Sequence, residues 1–180
     1  MDALELTSLA KSARRRPLWT PGNDDSERVA IGRDGIERLI PHRPPFLFVD
    51  EVTDVGLMSQ SIRGRRRIDP RDPVFEGHFP GRPIYPGVLQ LETIGQLGLC
   101  LMQLVLAGSP EVSAATRPRD ARAVKIHGAQ FYEPVGPGDE LTLVCRALAF
   151  DDYTAVCAGQ VLRGDTPCSF GVMEVFFVDG

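Results

Sequence analysis

The chain has 180 residues, 43% of them hydrophobic and 24% charged, ordinary proportions for one globular domain with a real core. A formal net charge of -4 gives no global attraction to nucleic acid or to an anionic membrane surface, which argues against a polyanion partner. Cys100, Cys145, Cys157 and Cys168 show no C-x-x-C spacing, so buried thiols in a reducing cytoplasm are expected, with no zinc site and no disulfide scaffold.

Residues 1–32 read as an N-terminal extension. DALELTSLAKSA suits a short amphipathic helix, the run Arg14, Arg15 and Arg16 follows, and PGNDDSE reads as an exposed loop. The expectation is a mobile or loosely docked arm, the alternative being membrane or partner docking through the three arginines. Asp2 and Glu5 precede the arginines, the reverse of a secretory signal, so a cytoplasmic location is expected.

Residues 33–180 read as a single domain. DGIERLI has an apolar side at Ile36, Leu39 and Ile40, and the prolines of PHRPPF then exclude helix. FLFVDEV and SQSIRGRRRI read as strands separated by a break at DVG. Alternation of Arg63, Arg65 and Arg67 marks the solvent face of a strand in preference to a phosphate-binding strip.

Pro86 to Ala107 carries the strongest helical signal, with Pro86 suited to the first turn and Gly108 and Pro110 to the stop. Apolar residues occupy nearly the whole circumference, predicting a helix enclosed by protein. Its length also fits a membrane span, but Glu92, Gln90, Gln96 and Gln103 would be costly in lipid. After a polar loop come four strand candidates, AVKIHGAQFYEP, ELTLVCRALAF, YTAVCAGQVLR and SFGVMEVFFV. One greasy helix among antiparallel strands satisfies its faces only if the sheet curls around it, an α+β arrangement called the hot-dog fold. The open edge of such a sheet favours pairing of two subunits.

The chemistry concentrates in EGHFPGRPIYPGVLQLETIGQLG, residues 76–98. Glycines and prolines give His78 a stiff, presented position. Glu92 falls in an apolar helix, where an unpaired carboxylate costs several kcal/mol, so it is either capped by a neighbour such as Arg82 or held near neutrality as a proton donor. Gly87 and Val88 open the helix with unpaired N–H groups suited to an oxyanion. A base, an acid and oxyanion donors specify proton abstraction beside a carbonyl with loss or migration of a neighbouring group.

RLIPHRPPFLFVDEV, EGHFPGRPIYPGVLQLETIGQ and FYEPVGPGDEL together resemble the three signature blocks of the 3-hydroxyacyl-acyl-carrier-protein dehydratases of type II fatty acid synthesis, from about Asp34 onward. The resemblance implies that His78 and Glu92 are the catalytic pair, shared across a homodimer and often within a trimer of dimers. It implies elimination of water from a (3R)-3-hydroxyacyl thioester to a trans-2-enoyl thioester. His78 would take the C2 proton, Gly87 would hold the oxyanion, and Glu92 would protonate the hydroxyl. The substrate rides on the phosphopantetheine arm of acyl carrier protein, with no metal or redox cofactor. Glutamate at position 92, where the isomerising branch typically has aspartate, favours simple dehydration. His42, matching a family histidine but with no acid beside it in sequence, reads as structural, as does His127.

Several positions depart from the family pattern. Tyr85 stands where methionine or a small aliphatic residue is usual, and Gly95 and Gly98 interrupt the helix, so Tyr85, Gly95 and Gln96 are candidates for the acyl-tunnel wall. Gln130, Tyr132 and Glu133 occupy positions where a basic cluster is frequent, leaving Arg119, Arg122, Lys125 or the N-terminal arginines to attract an acidic carrier protein. These departures suggest a specialised member, in a polyketide or other secondary pathway. The rival readings are a hot-dog acyl-thioesterase and a non-catalytic acyl-binding or partner subunit.

Overall fold

The computed structural model describes residues 3–20 and 25–178, so Asp2 and the PGND part of the expected loop lie outside the described residues. Chain order runs α1 (Ala3–Ala13), β1 (Glu27–Gly32), α2 (Arg33–Leu39), β2 (Glu51–Gly56), β3 (Ser61–Arg67), α3 (Val74–Gly77), α4 (Gly87–Ala107), β4 (Ala121–Phe131), β5 (Glu140–Phe150), β6 (Thr154–Arg163) and β7 (Thr166–Phe177). The strands form one antiparallel sheet in the order β1-β2-β3-β5-β6-β7-β4. It curls around α4, the hot-dog arrangement expected from the pattern of elements.

Helix α4 begins after Pro86, whose missing N–H costs nothing at a helix start, and stops at Gly108, which takes the left-handed conformation at φ 62°. Leu97, Leu101, Ile94 and Leu104 are buried in the main core with Val52, Ile62, Leu143 and Val161 from the sheet. The helix is long and apolar enough to cross a membrane, but 61% of its most apolar window is buried inside the protein, as a core helix requires. The expectation of enclosure on every side needs correction. Val88, Glu92, Gly95, Leu99, Gln103 and Leu106 keep partial or full exposure along one stripe, because a single sheet reaches only part of a helix's circumference.

The strand expected at FLFVDEV is displaced. Residues 46–50 are irregular, β2 continues through the DVG taken as a break, and the turn falls at residues 57–60. The reason is that Phe46 and Phe48 spend their backbone groups on the side chain of Gln96.

Helix α1 and strand β1 both fall within the stretch set apart as an extension, and both are packed. Strand β1 pairs with β2 as an edge of the sheet. Ala10 and Ala13 are buried against Ala158, Phe170 and Val172 on the outer face of β6 and β7. Gln160 donates from Nε2 to the carbonyls of Ala13 and Arg16 and accepts from the Leu18 N–H. Trp19 continues the cover over Val144 and Leu162. All four cysteines are buried and unpaired, and burial pushes the Cys100 thiol up to about 12.

Candidate active site

The loop from Gly77 to Pro86 hangs His78 at the entrance to α4. The Ile84 N–H donates to the His78 carbonyl at 2.9 Å, and His78 Nδ1 lies 2.8 Å from the Ile84 carbonyl oxygen. A carbonyl only accepts, so Nδ1 carries the proton and Nε2 is left as the basic nitrogen. Tyr85 N–H donates to the Val135 carbonyl at 2.7 Å, tying the loop to the stretch after β4.

The first N–H groups bonded within α4 are those of Leu89 and Gln90, both to the Pro86 carbonyl, which leaves the Gly87 and Val88 N–H groups ahead of the ladder. Glycine at position 87 gives room for a close approach. A Cβ there would stand 2.7 Å from Cε1 of Phe131, whose ring covers the start of the helix.

His78, Tyr85, Gly87, Val88, Gln90 and Phe131 line a cavity of about 390 Å³. Tyr85 contributes its ring, and desolvation raises the pKa of its buried phenol. Gln90 is buried there with Oε1 unpartnered. Sequence reasoning passed over Gln90 because the signal is its missing partner, visible only in three dimensions. Ser169 Oγ is also buried and unpartnered. It pairs across the sheet with Phe131 and so faces the same end of α4.

Glu92 does not line this cavity. It projects one turn beyond Val88, and its side chain is 29% exposed, which corrects the expectation of a carboxylate buried among the chain's own apolar residues. It is not unpartnered. Gln96 Nε2 donates to Oε1 at 2.9 Å, and His42 Nε2 approaches the same oxygen at 3.4 Å. Arg82, the suggested cap, belongs to the His78 loop. Gln96 is itself held by the Phe48 N–H, 2.7 Å from its Oε1, and by the Phe46 carbonyl, 2.9 Å from its Nε2. Those bonds fix which way its amide points.

Gln96 is therefore a clamp on the carboxylate, and neither it nor Gly95 lines the cavity, unlike the tunnel-wall expectation for both. A Cβ at Gly95 would come 2.9 Å from Cε of Met173, whereas one at Gly98 would meet Cys145 Sγ at 3.4 Å, so both glycines sit where the helix packs closely on the sheet. His42, expected to have no acid beside it, has Glu92 beside it, and its buried Nδ1 has no partner. The acid is fifty residues away in sequence, which hid the contact. His127 pairs with Glu174 at 2.8 Å between β4 and β7, a structural role.

The FabA-like domain family matches residues 40–166. A 3-hydroxyacyl-[acyl-carrier-protein] dehydratase FabZ from Chlamydia trachomatis is 37% identical over 118 residues, covering 66% of this chain and 73% of the relative. One from Aeromonas salmonicida is 36% identical over 152 residues, covering 82% and 95%. Among solved structures, the dehydratase heterocomplex ApeI:P from Xenorhabdus doucetiae superposes with a TM-score of 0.62 at 16% identity, covering 80% of this chain and 91% of that one. The E. coli PaaI protein from the phenylacetic acid degradation operon gives 0.50 at 11% identity, covering 74% and 79%. At those identities the two structures bear on the fold alone.

Proposed function

The chain belongs to the FabA-like family and is a 3-hydroxyacyl-acyl-carrier-protein dehydratase of fatty acid biosynthesis, and we propose that His78, Glu92 and the Gly87 N–H carry out its elimination. The observation that carries this reading is the Nδ1–H of His78 committed to the Ile84 carbonyl, which leaves Nε2 basic beside the free N–H groups of α4.

In this reading Nε2 of His78 takes the C2 proton of the (3R)-3-hydroxyacyl thioester. The electron pair moves into the thioester carbonyl, whose developing oxyanion accepts from the Gly87 N–H at the positive end of α4. As the enolate collapses to the trans-2-enoyl thioester, the 3-hydroxyl leaves with a proton from Glu92. Water is the by-product, and His78 then returns its proton to solvent while Glu92 regains one. Only protein side chains and backbone take part, and the phosphopantetheine arm belongs to the substrate.

Because Glu92 of one chain lies off the cavity that holds His78, the acid acting on that cavity is proposed to come from a second copy. Three features support a homodimer joined along β4. Strand β4 is a sheet edge, Val124 and Ile126 on it are exposed, and the uncovered stripe of α4 contains Val88 and Glu92. A cytoplasmic location fits this reading.

The test follows formation of the enoyl thioester from 3-hydroxyacyl-carrier protein by mass spectrometry. Wild type should eliminate water, while His78→Ala and Glu92→Gln each lose about 10³-fold in kcat with unchanged melting temperature. Release of free thiol without enoyl product would instead mark a thioesterase.

A further inference from the structure

The run Arg14, Arg15 and Arg16 is a concentration of positive charge that the dehydratase chemistry leaves unused, whereas the cluster Arg63, Arg65, Arg66 and Arg67 on β3 is partly paired, Arg65 with Glu51 and Arg66 with Asp50. All three residues are exposed at the end of α1, before the family-matched region that begins at residue 40.

Their position is set by three attachments. Gln160 Nε2 holds the carbonyls of Ala13 and Arg16. Tyr132 Oη lies 3.2 Å from the Ala10 carbonyl oxygen and 2.9 Å from Gln130 Oε1, two acceptors for its one proton. The Arg14 guanidinium lies over the Tyr132 ring, 5.8 Å from its centroid. Tyr132 is also a wall of the cavity that holds His78. The arginine run is thus fastened to the rim of the active site through a residue of the site itself.

Other cations are placed differently: Arg122 and Lys125 are exposed on the edge strand β4, outside the residues that line the His78 cavity. Arg119 stacks over Phe177 at 5.0 Å and donates to the Asp152 carbonyl, away from the residues that line the His78 cavity. Arg163 reaches the rim at the Pro134 carbonyl but is paired with Asp139 at 3.0 Å. Glu133 is the acidic neighbour on the cavity wall, and three guanidinium groups outnumber it.

We infer that Arg14, Arg15 and Arg16 form the docking surface for the acidic face of the acyl carrier protein, supplied by the N-terminal arm instead of by the stretch after β4. This rests on the dehydratase reading above and adds where the carrier binds. Charges at the rim of an interface act mainly on encounter and salt dependence, while chemistry at the buried centre is untouched.

The experiment compares one 3-hydroxyacyl group on carrier protein and on N-acetylcysteamine, which has no protein surface, using wild type and the triple variant Arg14→Gln, Arg15→Gln, Arg16→Gln. For the carrier-borne substrate the variant should raise KM about tenfold at low salt with kcat unchanged, and the difference should shrink as salt rises. Turnover of the N-acetylcysteamine thioester should not change. A second variant, Arg15→Glu with Arg16→Glu, leaves the Arg14–Tyr132 contact in place and should show the same selectivity more strongly. Equal loss on both substrates would mean that the arginines support the fold of the rim, and no change on either would place the carrier elsewhere; both outcomes overturn the inference. If wild type dehydrates neither substrate, the functional reading fails, and direct binding of carrier protein to wild type and variant still decides the docking surface.

Discussion

The two halves of the proposed catalytic pair are held in opposite ways. His78 is positioned from within its own loop, since its hydrogen-bond partner is the carbonyl of Ile84, six residues on. Glu92 is positioned by Gln96, and Gln96 by the backbone of Phe46 and Phe48, with His42 approaching from the same segment. A base on a stiff local loop needs little from the rest of the fold. An acid on the exposed stripe of a helix needs a brace brought from another part of the chain.

That difference can be broken most forcefully at Gln96. Gln96→Leu removes the clamp on Glu92 and leaves the Phe48 N–H and Phe46 carbonyl unpaired, at a cost of about 2–4 kcal/mol. Denaturant titration should show that loss, and kcat should fall about 10–100-fold. Unchanged kcat would mean that Glu92 needs no brace.

The opposite half is probed at Gly87, where an added methyl meets the Phe131 ring. Gly87→Ala should cost about 1–3 kcal/mol of stability and lower kcat/KM, with Phe131→Leu in the same chain restoring much of both. Failure of that rescue would detach the requirement for glycine from the ring contact. The smallest effect is expected at His42, whose contact with the carboxylate is longer than that of Gln96. His42→Asn should lower kcat about three- to tenfold and leave KM unchanged. A change in KM alone would make His42 a substrate contact.

The local half of the site was legible in the sequence and the braced half was not. Glycine, proline and histidine in GHFPGRPIYPG, followed by a greasy helix, announce a presented base and free N–H groups because each effect acts over a few residues. The termini of α4 and the span of β5 were readable for the same reason, through proline and glycine stops and continuous apolar patterning. The role of Phe46 and Phe48 was hidden because the apolar run opening FLFVDEV reads as a strand, whereas its backbone is bonded to a side chain about fifty residues away. The packing of α1 was hidden for a related reason. Its packed face, Leu6, Leu9, Ala10 and Ala13, is readable as one side of an amphipathic helix, but the surface it covers, Ala158, Phe170 and Val172, comes from strands about 150 residues on and is visible only in three dimensions.

The placement of β4 also sets the order in which a new molecule becomes competent. Phe131, which covers the start of α4, lies on a strand whose sole neighbour among the described residues is β7, spanning Thr166–Phe177. During synthesis on the ribosome the His78 loop and the helix behind it emerge long before that partner. A nascent chain that has not yet delivered β7 therefore carries the proposed base and oxyanion donors without their wall, and the pocket closes only as β7 is threaded into the sheet.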